Sequence, residues 1–156
     1  LNIRRVLKRS ESPIADVKTF PDNVDVALIE GAVANEDNLE LVKQVRERSK
    51  LVASFGDCAI TGNVTALRNL LGETAPMLQR IYIDEVNNSS EGIPREEKIV
   101  PKLLPKVLPV HQVIKVDAYL PGCPPSAERI QAMLESLVKG ETPNLEGELI
   151  RFGQGA

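Results

Sequence analysis

The sequence predicts an α/β fold built on a parallel sheet, and three observations carry that prediction. Short apolar runs recur along the chain, and each leads directly into a glycine-bearing loop. Segments with helical periodicity and end signals separate the runs. The runs are nearly continuous rather than alternating with polar residues, as expected for strands covered by helices on both faces.

The first run, Val24–Ile29, ends at Glu30-Gly31. A helix over 35–50 follows. Asn35 is placed to cap it, Glu36 and Asp37 lie in its first turn, and Arg46, Arg48 and Lys50 lie near its end, where the helix dipole favours cations. Leu39, Val42 and Val45 give it an apolar stripe, and its charges read as a solvated face. A second strand, Leu51–Phe55, ends at Gly56-Asp57-Cys58. The loop Thr61-Gly62-Asn63 then leads into a short helix near Val64–Leu71. A helix over Pro76–Val86 and a loop over Asn87–Pro94 come next, and Pro101, Pro105 and Pro109 exclude one long helix beyond them. The third strand, Val113–Leu120, ends at Pro121-Gly122-Cys123-Pro124-Pro125. The last helix has Ser126 as its cap, Ile130, Met133, Leu134, Leu137 and Val138 on one face, and Gly140 as its stop. Residues 1–11 are an unmatched basic stretch that reads poorly as a core element, 12–141 form the domain, and 142–156 read as a mobile tail.

Composition narrows the function classes. The 156 residues carry a formal net charge of -3, and nothing in them suggests a nucleic-acid partner. No run of about 18 apolar residues predicts a membrane-spanning helix. Aromatic residues are only 3% and tryptophan is absent, so the core must be aliphatic and stacking platforms are not expected.

Attention therefore falls on the two cysteines, Cys58 and Cys123. By count alone they could form a disulfide, be two buried thiols, or be half of a metal site. Each lies just past a predicted strand, and the carboxyl edge of a parallel sheet is where such folds bind ligands. Loop N–H groups and a helix start there could stabilise a negatively charged centre. Gly56 and Gly122 would let the backbone approach closely or adopt positive φ. Glu30 at the same edge is either a proton relay or an ordinary loop carboxylate. Asp57 is an oxygen ligand, a helix cap or a solvated acid. His111, the single histidine, reads as a packing or interface residue.

The motifs VDVALIEGAV (Val24–Val33), LVASFGDCAITGN (Leu51–Asn63) and VDAYLPGCPP (Val116–Pro125) resemble, in order, those of nickel–iron hydrogenase small subunits. The superfamily includes the small iron–sulfur subunit of respiratory NADH:quinone oxidoreductase. Ser12–Lys18 (SPIADVK), Ala66-Leu67-Arg68-Asn69 and Ile93-Pro94-Arg95 most resemble the NAD-reducing type. The resemblance implies a flavodoxin-like three-layer sandwich and a [4Fe–4S] cluster with Cys58 and Cys123 as two of its four ligands. It also implies FMN in some members, a nickel–iron large subunit and flavin/NAD diaphorase subunits as partners, electron transfer as the role, and the cytoplasm as the location. The family's other two cysteines form a C-x-x-C motif after the first strand. This chain, which begins at Leu1, has no such motif. In the flavodoxin-like order 2-1-3-4-5 the first strand is central. Its loss would leave a gap beside Val24–Ile29. Two other roles compete: the cluster subunit of a quinone-linked oxidoreductase, whose typical adjacent cysteines are absent here, and a non-catalytic flavodoxin-like scaffold.

Overall fold

The computed structural model describes residues 20–84, 92–94, 99–145 and 147–150. The expectations for residues 1–19, for the first part of the loop Asn87–Pro94 and for Arg95 lie outside them. In chain order the elements are β1 (Val24–Glu30), β2 (Val33–Asn35), α1 (Glu36–Arg48), β3 (Ser49–Phe55), α2 (Asp57–Thr61), a 3₁₀ helix (Asn63–Leu71), α3 (Thr74–Gln79) with a π turn (Arg80–Asp84), β4 (Leu103–Leu108), a 3₁₀ turn (Val110–Gln112), β5 (Ala118–Leu120) and α4 (Ala127–Val138).

Strands β1, β3 and β5 form a parallel sheet in that order, with Val24 opposite Ser49, Glu30 opposite Phe55, and Phe55 opposite Leu120. Side chains leave a strand on alternate faces, and here both faces are covered. Ala53, Ala118 and Leu120 pack with Met133 and Leu137 of α4, joined by Val26, Leu28 and Leu51. On the opposite face Ala27 and Val52 pack with Val45 of α1 and with Phe20, which precedes β1. Val33, Val42, Ala59 and Val110 continue that layer toward the carboxyl edge. Two-sided burial is the reason the strand sequences lack alternation, and it gives the three-layer α/β sandwich.

No gap separates the described strands. β1 bonds directly to β3, and the edge of β1 facing away from β3 has no paired strand among the described residues. The expected gap beside Val24–Ile29 therefore does not lie between described strands and would fall at the outer edge of β1.

Helix α1 begins as its sequence predicts: the Asn35 side chain accepts from the Asn38 N–H at 2.8 Å. Two of its basic residues, Arg46 and Arg48, depart from the expected solvated face. Arg46 bonds the Asp117 carboxylate at 2.5 Å, the Ser49 carbonyl at 2.6 Å and the Lys50 carbonyl at 2.9 Å. Arg48 donates to the Phe20 carbonyl at 2.6 Å. Both therefore tie the end of the helix to neighbouring segments.

The third strand is shorter than its apolar run. Residues 110–114 turn, with Ile114 N–H bonded to the Val110 carbonyl at 3.1 Å, and only Ala118–Leu120 are strand. Asp117 stands in for a strand residue by giving its N–H to the Val52 carbonyl at 2.8 Å and accepting the Val52 N–H on its carboxylate at 2.9 Å.

A second, two-stranded sheet was not expected. β2 pairs antiparallel with β4, with an irregular register between Val33 opposite Leu108 and Asn35 opposite Leu103. Pro105 lies in the irregular stretch, where a missing N–H does least harm. The helix expected over Pro76–Val86 starts at Thr74 and becomes a π turn after Gln79. Ser126 is the N-cap residue of α4 by backbone geometry but makes no side-chain cap bond. Beyond Thr142 the chain returns to the body, where Leu145 packs against the Met133 cluster.

Candidate thiol site at the sheet edge

The carboxyl ends of β3 and β5 diverge into the two cysteine loops, and three hydrogen bonds hold these loops together. Gly56 N–H donates to the Leu120 carbonyl at 2.7 Å and Asp57 N–H to the Gly122 carbonyl at 3.0 Å, extending the ladder past the strands. In return Gly122 N–H donates to Asp57 Oδ1 at 2.7 Å. Cys58 and Cys123 each follow one member of the Asp57–Gly122 pair. Standard backbone dimensions then limit their Cα separation to about 11 Å. Cys58 is a half-buried free thiol and Cys123 an exposed one, so there is no disulfide between them.

Both glycines are required here. Gly56 has φ +81° and its Cβ position lies 3.4 Å from the Gly122 carbonyl oxygen. Gly122 has φ +141°, and a Cβ there would meet Pro125 Cα at 2.5 Å. The Cys123–Pro124 peptide is cis.

Asp57 is neither the helix cap nor a free carboxylate. The N-cap of α2 is Gly56, which has no side-chain cap bond, and Asp57 spends Oδ1 on the opposite loop. Because α2 has only five residues, its macrodipole contributes little, contrary to the expected help from a helix start. Glu30 ends β1 at this same edge and is exposed. His111 lies on the surface and meets Tyr119 edge to face, with ring centroids 6.2 Å apart, as a packing residue would.

Two side chains that the sequence shows only within a family-like motif support this edge. They fix the 3₁₀ helix Asn63–Leu71, which follows Cys58. Asn69 donates to the Val107 carbonyl at 2.9 Å and accepts the Val107 N–H at 2.7 Å, pairing with β4 as a strand would. Arg68 donates to the Ala34 and Leu104 carbonyls at 2.9 Å each, and burial lowers its pKa from the ordinary value. With three residues per turn, Val64, Leu67 and Leu70 fall on one line facing away from these bonds. They are 67%, 60% and 84% exposed, an apolar stripe beginning six residues after Cys58.

The family described as NADH ubiquinone oxidoreductase, 20 Kd subunit, matches residues 3–137. The chain belongs to that family. It is 33% identical over 147 residues to the NAD-reducing hydrogenase HoxS subunit delta of Cupriavidus necator, covering 90% of this chain and 68% of that one. It is 36% identical over 137 residues to a subunit of the F420-non-reducing hydrogenase vhu of Methanocaldococcus jannaschii, covering 88% of this chain but 46% of the relative. This chain thus spans less than half of the second relative. A chain in the crystal structure of NAD+-reducing [NiFe]-hydrogenase in the H2-reduced state superposes with a TM-score of 0.86 at 32% identity, over 97% of this chain and 84% of that one. The expected family and the flavodoxin-like α/β fold therefore stand, and the relatives are hydrogenase subunits.

A [4Fe–4S] cluster normally takes four thiolates. This chain has two cysteines, and among the described residues no group of three or more potential ligands gathers at one place. Its own side chains do not complete such a centre. No described helix is long and apolar enough to cross a membrane.

Proposed function

We propose that this chain is the electron-transfer small subunit of a cytoplasmic NAD-reducing [NiFe] hydrogenase. Cys58 and Cys123 supply two of the four ligands of a [4Fe–4S] cluster, the other two in the family being a C-x-x-C motif. The observation that carries the reading is the locked pair of loops, which keeps two free thiols within about 11 Å on one edge of the sheet. Two bystander cysteines have no need of such a lock. A parallel strand of the kind that precedes the C-x-x-C motif in the family would pair with the edge of β1 that faces away from β3.

The partners are a nickel–iron large subunit and flavin/NAD diaphorase subunits. The stripe Val64, Leu67 and Leu70 suits the first of these. It is apolar, exposed, and continuous with the Cys58 loop, where a redox partner must approach. FMN has no assigned contact in this chain. Anaerobic co-expression with a hydrogenase large subunit tests the assignment: a complex that survives size exclusion is expected, and a chain that elutes alone overturns it.

A further inference from the structure

We propose that Asp57 is the positioning residue that sets the distance between the two thiols. The backbone bonds Gly56 N–H to Leu120 O and Asp57 N–H to Gly122 O would form with any residue at 57. The return bond, Gly122 N–H to Asp57 Oδ1 at 2.7 Å, needs a side-chain acceptor one carbon beyond Cβ. Together these bonds close a ring in which both backbone polar groups of Gly122 are bound by one residue of the opposite loop. Gly122 has no side chain with which to hold itself, and it sits at φ +141°, a conformation that favours glycine. The next residue is Cys123. Behind Asp57, the Thr61 hydroxyl donates to the Asp57 carbonyl at 2.9 Å and Gly62 N–H to the Cys58 carbonyl at 3.0 Å, so the Cys58 side of the clamp is anchored in α2. The side that needs holding is therefore the Cys123 loop, and Asp57 is what holds it.

The spacing matters for function only if the two thiols share one centre, as proposed above, but the clamp can be measured without metal. The probe is dibromobimane, which becomes fluorescent when it bridges two thiols, applied to the reduced chain. In the unmodified chain it should bridge Cys58 and Cys123. Asp57→Asn keeps an acceptor at the same atom and should bridge within about twofold of the unmodified chain. Asp57→Ala and Asp57→Leu lose the bond and should bridge about tenfold less or lower still. The rates at which each thiol reacts with a monofunctional reagent should not change. If Asp57→Ala does not fold, Asp57→Leu, which keeps the branched shape without an acceptor, gives the reading. Bridging by both variants at the unmodified rate, or no bridging in the unmodified chain, overturns the proposal. Iron binding by the same proteins with a C-x-x-C segment added separates the two readings. Bridging that depends on Asp57 without any iron uptake supports the clamp and overturns the cluster.

Discussion

Asp57 and Gly122 bond each other in both directions, at 3.0 Å through the Asp57 N–H and at 2.7 Å through its carboxylate, and each immediately precedes a cysteine. The tips of two parallel strands, joined by residues 65 positions apart in sequence, thereby become a single rigid edge. The consequences of that edge, and of the supports around it, can be measured one at a time.

Replacing Gly122 should break the edge from the other side. An alanine Cβ would sit 2.5 Å from Pro125 Cα, and φ of +141° is a region open to glycine alone. Gly122→Ala should cost at least about 1–3 kcal/mol in urea unfolding and should scatter the reactivity of Cys123.

Asp117 links the sheet to the end of α1, and its loss should be felt most at neutral pH. Burial alone would raise its carboxyl pKa. The Arg46 hydrogen bond, the Val52 N–H and the charges of Arg46 and Lys115 outweigh that and hold it below the ordinary value. The stabilisation is thus complete above the unfolded pKa of about 3.9 and fades as pH falls through the lower folded value. Asp117→Asn should be less stable than the unmodified chain by about 1.5–3 kcal/mol at pH 7. The two should converge in urea melts taken well below pH 4.

Met133 is the anchor of the α4 layer, buried among Ala53, Ala118, Leu120 and Leu137. Met133→Ala should cost about 2–5 kcal/mol by thermal or urea unfolding.

The apolar stripe should behave in the opposite way. Leu67→Ser and Leu70→Ser remove exposed side chains and should change the chain's own stability by no more than about 0.5 kcal/mol. If the stripe carries the large-subunit contact, the pair should weaken that complex about tenfold or more in a binding titration. Unchanged binding would place the interface elsewhere.

Much of the sheet was legible because burial on both faces leaves a strong mark in sequence: Val24–Ile29 and Leu51–Phe55 stand out as unbroken apolar runs. The Asn35 cap and the apolar face of α4 were legible for the same local reasons. The second sheet was not, since β2 has three residues and β4 carries a proline in mid-strand. The run Val113–Leu120 reads as a longer strand than it forms because Asp117, a polar residue, takes over the pairing of Val52 through its side chain. At the site, the two cysteines could be read from their positions after strands. The role of Asp57 could not, because its partner lies 65 residues away and is a backbone N–H that leaves no trace in composition. Arg68 and Asn69 were visible only as part of a family-like motif, since their partners are carbonyls and an N–H of β2 and β4.

The central claim, that Cys58 and Cys123 are half of one cluster site, is tested most directly by iron and acid-labile sulfide analysis with EPR under anaerobic reconstitution. The chain is measured alone and with an N-terminal strand bearing C-x-x-C. The chain alone should hold no stoichiometric cluster. The extended chain should hold one [4Fe–4S] cluster, lost on either Cys58→Ala or Cys123→Ala. A stoichiometric cubane in the monomeric chain alone, or a cluster in the extended chain that survives both substitutions, would contradict the account.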